Sequence, residues 1–296
     1  MGIKNFYIIC CLFMLCGCTK ASPPSAGAVT PEYQEMREHT AAGSDNGGEA
    51  GDQSLSPLQP LSENEKLIQY LERQDKAKTY LSLPLGNYTN FTPLLDFKDL
   101  EFLKIDNFEL TDISGITVLS QQEKLTQLTI WAEKVTDISP LSALVNLREL
   151  SVDIKNTSTD ASELLPLVRL EKLAFVATSS KTIYNISQLT RLKSLYLYLH
   201  NNNIDISPIQ NLTNLECLEM EGPDYKVTEF DISWIGRLGN LKELELGYFK
   251  IVDVSPLLKL PHLSQVNVMW SEISDRNADL LRKAGVTVYT PDYKDR

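Results

Sequence analysis

Apolar residues recur along the chain with one fixed pattern of spacing. After Pro140 they fall at Leu141, Leu144, Leu147, Leu150 and Val152, so three steps of three residues precede one step of two. An eighth copy begins at Gly115 and carries three inserted residues before its strand. The pattern predicts a chain built from similar units. The other copies follow Pro93, Glu163, Asn185, Pro208, Trp234 and Pro256.

The two step lengths predict two kinds of local structure. Steps of three suit a short helical or 3-10 segment, whose side chains recur every three residues. A step of two suits a strand, in which alternate side chains share a face. Each copy therefore predicts a helical turn, a loop and a short strand. In the sequence DISP at 137–140, Ser139 can cap the turn and Pro140 can occupy its first position.

The strand anchors recur every 22 to 26 residues, which is the period of leucine-rich repeats. The repeated wording LxxLxLxxxxIxDISPL closely resembles bacterial internalin-like leucine-rich repeats over about residues 92–273. The resemblance implies an α/β leucine-rich-repeat solenoid of about eight repeats with terminal caps. Its curved parallel sheet would form the concave side, and short helical or 3-10 turns the convex side. The anchors are Leu103, Leu128, Leu150, Leu173, Leu195, Leu218, Leu244 and Val266.

The chain departs from the family at the position after the strand, where an Asn is usual. Phe108, Glu133, Phe249 and Ser271 occupy this position in four repeats. Since the ladder of Asn side chains that ties the loops together is largely missing, we expect less regular loops.

A solenoid leaves the core of its end repeats open, and the flanking segments predict caps. Residues 61–91 predict a helical N-terminal cap, in which Ser62 and Glu65 have capping-box spacing. Residues 274–296 predict a C-terminal cap, namely a helix stopped by Gly285 and one last short strand.

The first residues have the features of a secretory signal peptide. A start containing Lys4 precedes an apolar run from Phe6 to Cys16, which is shorter than the roughly 20 residues that a membrane span needs. The following Leu15-Cys16-Gly17-Cys18 resembles the lipobox of bacterial lipoprotein precursors. The resemblance implies a signal peptide at 1–17 and lipid attachment at Cys18. A metal site is the weaker alternative, because no His or paired downstream cysteines complete a tetrahedral set.

Residues 18–60 predict a lipid-anchored flexible linker, since Gly, Ser, Ala and Pro dominate and large aliphatic residues are nearly absent. The resemblance to lipoproteins implies an exported, membrane-anchored protein. Thr19, rather than an Asp, follows the lipid-bearing cysteine and favours the outer membrane or cell surface over the inner membrane. Cys217 has no downstream partner for a disulfide.

Residues that flank the buried pair of each strand should face outward on the concave sheet. Aromatic residues there favour binding of a protein partner, because exposed aromatics are enriched at interfaces. Four glutamates on two adjacent strands suggest a basic partner or a cation, and a solvated acidic face is the alternative. The predicted partner-binding residues are Phe102, Trp131, Tyr196, Tyr198, Glu219, Glu221, Glu243 and Glu245.

The net charge and the lack of catalytic motifs argue against nucleic-acid binding and against catalysis. The net charge of −11 argues against nucleic acid, which needs basic stripes. His200 and His262 fall in different repeats, and no catalytic motif accompanies them, so we predict no catalytic residue, metal or cofactor.

The sequence thus predicts a monomeric, lipid-anchored exported protein that binds a protein through its concave face, in cell-surface recognition or adhesion. The first alternative is a periplasm-facing scaffold or envelope-assembly protein. An enzyme is the last alternative.

Overall fold

The computed structural model describes residues 60–290 except 155–158, 224–226 and 269. The predicted signal peptide at 1–17, Cys18, the linker up to residue 59 and residues 291–296 lie outside the described residues.

Ten parallel strands form the main sheet, and successive strands come from successive repeats. They pair in the register that the ladder predicts, because Leu150 lies opposite Leu173 and Leu195 lies opposite Leu218. The predicted α/β leucine-rich-repeat solenoid is confirmed. The strands are β1 Tyr80–Leu83, β2 Phe102–Asp106, β3 Gln127–Trp131, β4 Glu149–Asp153, β5 Lys172–Ala177, β6 Ser194–Leu199, β7 Cys217–Glu221, β9 Glu243–Gly247, β11 Gln265–Asn267 and β13 Thr287–Tyr289.

Short 3-10 turns and three helices lie between the strands. None of the helices in the described ranges is long and apolar enough to cross a membrane. The helices are α1 Glu63–Glu72, α2 Ser180–Ile186 and α3 Asp275–Lys283. The 3-10 turns are Thr92–Asp96, Ser114–Gln121, Ser139–Ala143, Ser162–Leu164, Ser207–Asn211, Ser233–Arg237 and Leu257–Lys259.

The ladder residues form one continuous hydrophobic core between the sheet and the turns. Leu103, Leu173, Leu195 and Leu218 are each 0% exposed. Burial of one such side chain is worth about 1.5–3 kcal/mol. The core therefore stabilises each repeat mainly through its contacts with the next.

Aspartates, rather than the predicted serines, hold the starts of the 3-10 turns. Asp137 accepts a hydrogen bond from the backbone N–H of Ser139 at 2.8 Å, while the Ser139 side chain makes no capping bond. The serine N–H is thereby satisfied by a side chain two residues earlier. These bonds lower the pKa of Asp137, Asp160 and Asp253 below the ordinary value. The same bond occurs in the pairs Asp112–Ser114, Asp160–Ser162, Asp205–Ser207, Asp231–Ser233 and Asp253–Ser255.

Both ends of the solenoid carry a helix and an additional strand. At the N-terminal end, Ser62 and Glu65 form a reciprocal capping box at the start of α1. Strand β1 then pairs with β2, although the sequence predicted only helix in this segment. At the other end, α3 is followed by Gly285 at φ 90° and by β13, which pairs with β11. Glycine suits this left-handed position because it lacks a Cβ.

A second, three-stranded parallel sheet lies beside the last repeats, with strand order β12-β10-β8. Phe230 stacks on Phe249 there, with ring centroids 4.2 Å apart. The buried Ser271 hydroxyl donates to the Leu246 carbonyl at 2.7 Å and accepts the Phe249 N–H at 2.9 Å. A serine thus ties neighbouring loops together where an Asn was missing. The strands are β8 Thr228–Glu229, β10 Phe249–Ile251 and β12 Glu272–Ile273.

Candidate protein-binding face

The concave face consists of the main-sheet side chains that point away from the core. Strand β3 shows the alternation, since Leu128 and Ile130 are buried whereas Gln127, Thr129 and Trp131 are half-exposed. Because the parallel strands are in register, equivalent side chains of successive strands form rows across this face.

The N-terminal half of the concave face, β1 to β5, mixes acidic and basic residues. Lys172 on β5 lies 3.0 Å from the carboxylate of Glu149 on β4. Lys104 lies 3.7 Å from Asp106 on the same strand. Two of the predicted aromatic residues, Phe102 and Trp131, are half-exposed here. Carboxylates in this half therefore have cationic neighbours within the protein itself.

The C-terminal half of the concave face, β6 to β13, contains glutamates but no lysine or arginine among its described residues. Glu219 on β7 lies directly opposite Glu245 on β9, and Cys217 lies opposite Glu243. No ion pair within the described ranges compensates Glu219, Glu221 or Glu245. The residues are Ser194, Tyr196, Tyr198, Cys217, Glu219, Glu221, Glu243, Glu245, Gly247, Gln265, Asn267, Thr287 and Tyr289.

Two of these glutamates are buried although they lie on the open side of the sheet. Glu219 is 9% exposed and Glu221 is 8% exposed. Gly247 lies opposite Glu221, and a Cβ at this glycine would lie 3.2 Å from the Glu221 Cγ. Because Gly247 has no side chain, the Glu221 side chain can pack over β9.

Burial changes the protonation of this cluster. Burial, and then the charges of Glu245 and Glu221, raise the pKa of Glu219 to about 9. Burial and Glu245 also raise the pKa of Glu221 to about 7, while a hydrogen bond from Tyr196 limits the rise. Burial raises the pKa of Glu245, and its hydrogen bond with Asn267 opposes the rise. The cluster thus carries less negative charge at neutral pH than its glutamates suggest, since burial disfavours the ionised form.

The predicted site residues do not form one exposed patch. Phe102 and Trp131 lie in the N-terminal half, and Tyr198 is half-exposed on β6. Tyr196 is 0% exposed, so the expected exposure of all four aromatics is not found at this position. Glu243 and Glu245 are half-buried beside the buried pair.

Sequence reasoning missed a stacked aromatic pair in the last repeats, in which Trp270 is exposed and Tyr248 is half-buried. Trp270 is 60% exposed, and its ring stacks on that of Tyr248 with centroids 6.4 Å apart and an interplanar angle of 22°. Tyr289 on β13 is 47% exposed. In the sequence, the pair is visible only as one aromatic residue just beyond each of two successive strands. These positions lie outside the repeating pattern that predicts the concave face.

Within the described ranges, the candidate catalytic and metal-binding side chains do not come together in one site. His200 and His262 are both exposed and belong to different repeats. Cys217 is half-buried and forms no disulfide within the described residues. The described residues contain no group of three His, Cys, Asp or Glu side chains that could hold a metal ion.

The chain is similar to several proteins of known structure. No protein-family model matches the chain, and no curated protein matches it. An internalin (inlF) from Listeria monocytogenes is 26% identical, with a TM-score of 0.52, over 77% of this chain and 74% of that chain. Internalin C2 (inlC2) from the same species is 21% identical, with a TM-score of 0.44, over 77% of this chain and 92% of that chain.

A more distant similarity extends to a chain of the Toll–Spatzle complex from Drosophila. It is 15% identical with a TM-score of 0.52, and the match covers 70% of this chain but 29% of that chain. The protein therefore has an internalin-like leucine-rich-repeat fold. This fold is a scaffold that supports protein–protein interaction.

Proposed function

We propose that the protein is a lipid-anchored exported protein that binds a protein partner through its concave face, in cell-surface recognition or adhesion. The internalin-like fold supports protein binding. The resemblance of residues 15–18 to a lipobox supports the anchor.

The binding proposal is based on aromatic side chains of the concave face that lie outside the hydrophobic core. Trp131 and Tyr198 remain half-exposed on a rigid ten-stranded sheet. Strands lie roughly 4.8 Å apart, so the face extends on the order of 40 Å. That length accommodates a standard footprint of about 800 Å² per partner.

A capture experiment with matched variants tests the proposal. Full-length protein is used as bait against proteins from the surroundings of the native cell, in parallel with Trp131→Ala and Tyr198→Ala. The supporting result is a protein retained by the wild type and by Phe108→Ala, but lost from both concave variants. Phe108 is 52% exposed and lies in a loop after β2, so it controls for nonspecific loss of an aromatic residue. Equal retention by all variants contradicts binding through this face.

The proposed anchor is tested separately at Cys18. Cys18→Ala should give an uncleaved precursor without acyl lipid, because the lipid-bearing cysteine is absent. Replacement of Cys10 and Cys11 by Leu should change little, since they serve as apolar signal residues. Incorporation of labelled palmitate into the Cys18→Ala protein contradicts the proposed attachment site.

The proposed location is tested by adding protease to intact cells. Rapid digestion supports the cell surface. Protection until the outer envelope is opened supports the alternative, a periplasm-facing scaffold or envelope-assembly protein.

A further inference from the structure

The stacked pair Tyr248–Trp270 is held by the backbone around it. The Tyr248 N–H donates to the Trp270 carbonyl at 3.0 Å, and Tyr248 has a positive φ of 67°. The next residue, Phe249, is fixed from the other side by the buried Ser271 hydroxyl. One ring face of Trp270 lies against Tyr248, and its 60% exposure leaves the other available to a partner. Backbone hydrogen bonds and the ring contact therefore hold this stacked pair, which we call the platform, in place without a partner.

The platform lies at the carboxyl ends of β9 and β11, next to the buried glutamates. Tyr248 directly follows Gly247, the residue over which Glu221 lies. Tyr289 lies opposite Asn267 on the neighbouring strand and is also exposed. We call Tyr248, Trp270 and Tyr289 the aromatic corner.

The carboxyls beside the aromatic corner lack a cationic partner. Glu219 is more than nine-tenths buried and has neither a hydrogen bond nor an ion pair among the described residues. The hydroxyl of Ser194 on the adjacent β6 is also buried and has no hydrogen-bond partner in those ranges. No lysine or arginine from β6 to β13 points onto this face within the described part of the chain. Within the described residues, no side chain on this face offers a positive charge to these carboxyls when they ionise, which leaves that role open to a bound cation.

We propose that this corner binds an extended, arginine-bearing segment of the protein partner. One guanidinium group stacks on Trp270 and another pairs with the carboxylates of Glu221 and Glu245. The inference rests on the proposed function and specifies the chemistry of the partner. Arginine suits both tasks because its planar guanidinium stacks on aromatic rings and forms forked bonds with carboxylates.

The spacing of the groups favours a segment over a single ion. Strands β7 and β11 are separated by β9, which places them roughly 9–10 Å apart. Alternate side chains of an extended peptide start about 6.6–6.8 Å apart, so the length of the arginine side chains has to cover the remaining distance of roughly 3 Å. The glutamates do not converge on a point that could hold a metal ion.

Binding of a cation requires the carboxyls to give up protons to solvent. Glu219 and Glu221 are faced by Tyr196 and Tyr198 from β6, by Glu243 and Glu245 from β9, and by Cys217 on their own strand. None of these groups supplies a positive charge. Affinity for arginine should therefore rise between pH 6 and pH 8, as Glu221 loses its proton more readily.

The test uses short peptides and the indole signals of the protein's three tryptophans. The probe is Arg-Ser-Arg-Ser-Arg, added to the full-length chain labelled with nitrogen-15 at tryptophan. Two matched probes carry lysine or uncharged citrulline in place of arginine. The arginine peptide should shift the Trp270 signal, the lysine peptide should bind several-fold more weakly, and the citrulline peptide should leave the signal unchanged. Trp234 is 7% exposed and serves as an internal control.

Variants then locate the site. Trp270→Ala should weaken the arginine peptide at least tenfold, and Glu221→Gln at least threefold with loss of the rise between pH 6 and pH 8. Phe108→Ala, an exposed aromatic outside the corner, should leave affinity unchanged. Binding to Trp270→Ala is followed by fluorescence of the labelled peptide.

Four outcomes overturn the inference. Equal shifts with citrulline show that the cation is not recognised, and shifts at Trp131 alone place the peptide in the N-terminal half. No shift at millimolar peptide excludes the site. A protein that ignores the peptide yet captures a partner through Trp131 and Tyr198 overturns this inference and leaves the proposed function intact.

Discussion

The N-terminal and C-terminal halves of the concave face present carboxylates in two different environments. In the first half, Glu149 lies 3.0 Å from Lys172 and both side chains remain partly exposed. In the second half, Glu219 faces Glu245 across the strand pair, and its own carboxyl is buried. The backbone register is the same in both halves, so the side chains alone create the contrast.

The contrast shows which half of the concave face loses stability when its carboxyls ionise. Exposed ion pairs contribute little to stability, typically 0–1 kcal/mol, and need no partner molecule. Buried like charges instead raise the free energy of the folded state whenever they ionise. The C-terminal half therefore carries a cost in stability that the N-terminal half avoids.

The largest expected effect is on the pH dependence of stability. The folded-state pKa values of Glu219 and Glu221 exceed the unfolded value of 4.5, so their contribution is full below pH 4.5 and is lost as pH rises. Between pH 5 and pH 7 we expect a loss on the order of several kcal/mol in the free energy of unfolding, since each group can contribute up to about 1.4 kcal/mol per pH unit. Urea unfolding across this pH range measures it.

A matched pair of variants separates the two halves in that experiment. Glu219→Gln should reduce the pH dependence to the part contributed by Glu221, whereas Glu149→Gln should leave it unchanged. Identical curves for both variants contradict the contrast between the halves.

The next effect concerns the core, where the halves should behave alike. Leu195→Ala or Leu218→Ala should cost about 2–5 kcal/mol in the free energy of unfolding, because each side chain is fully buried. Leu128→Ala in the N-terminal half should cost a similar amount. Amide exchange should show that the loss spreads to neighbouring repeats, since each repeat is stabilised by the next. Val168→Ala is the control, because this side chain is 65% exposed and should cost less than about 0.5 kcal/mol.

A smaller effect is expected on partner binding at the aromatic residues. Trp131→Ala or Tyr198→Ala should weaken binding by more than about 1 kcal/mol, mainly through faster dissociation. Surface plasmon resonance with the captured partner gives both rates. If these two variants and the charge reversals at Glu243 and Glu245 all leave both rates unchanged, the interface lies on the convex loops or the linker.

The smallest effect is expected from charge reversal at the edge of the glutamate cluster. Glu243→Lys combined with Glu245→Lys should slow association and flatten its dependence on ionic strength, because charges at an interface mostly affect encounter. Association rates at two salt concentrations decide this. A salt dependence equal to that of the wild type would show that the partner does not approach this half.

Most of the fold follows from the sequence because one rule governs every repeat. The apolar ladder predicted both the buried faces of the strands and their register, since a shift by one residue would expose the leucines. Strand β1 was missed because Tyr80–Leu83 lies in a segment that does not repeat the ladder. The starts of the turns were assigned to serine, although the neighbouring aspartate accepts the bond.

The site was less predictable because exposure depends on neighbours across the sheet. Alternation along one strand places Tyr196 and Glu219 on the concave face, but it does not indicate how closely the adjacent strands cover them. The burial of Glu221 depends on the missing side chain of Gly247, which is 26 positions further along the chain. Trp270 lies beyond the strand, where the repeat pattern makes no prediction.

The in-register stacking of the repeats also constrains how such a protein can change its length over generations. Duplicating or deleting one whole repeat would add or remove one strand, a step of roughly 4.8 Å, while every other leucine keeps an equivalent partner. Recombination could therefore lengthen the protein without changes to the core of the other repeats. Glu219 and Glu245 belong to different repeats that pair directly. A repeat inserted between them would separate the two carboxyls and relieve their repulsion, so this junction should tolerate insertion of a repeat at least as well as the others.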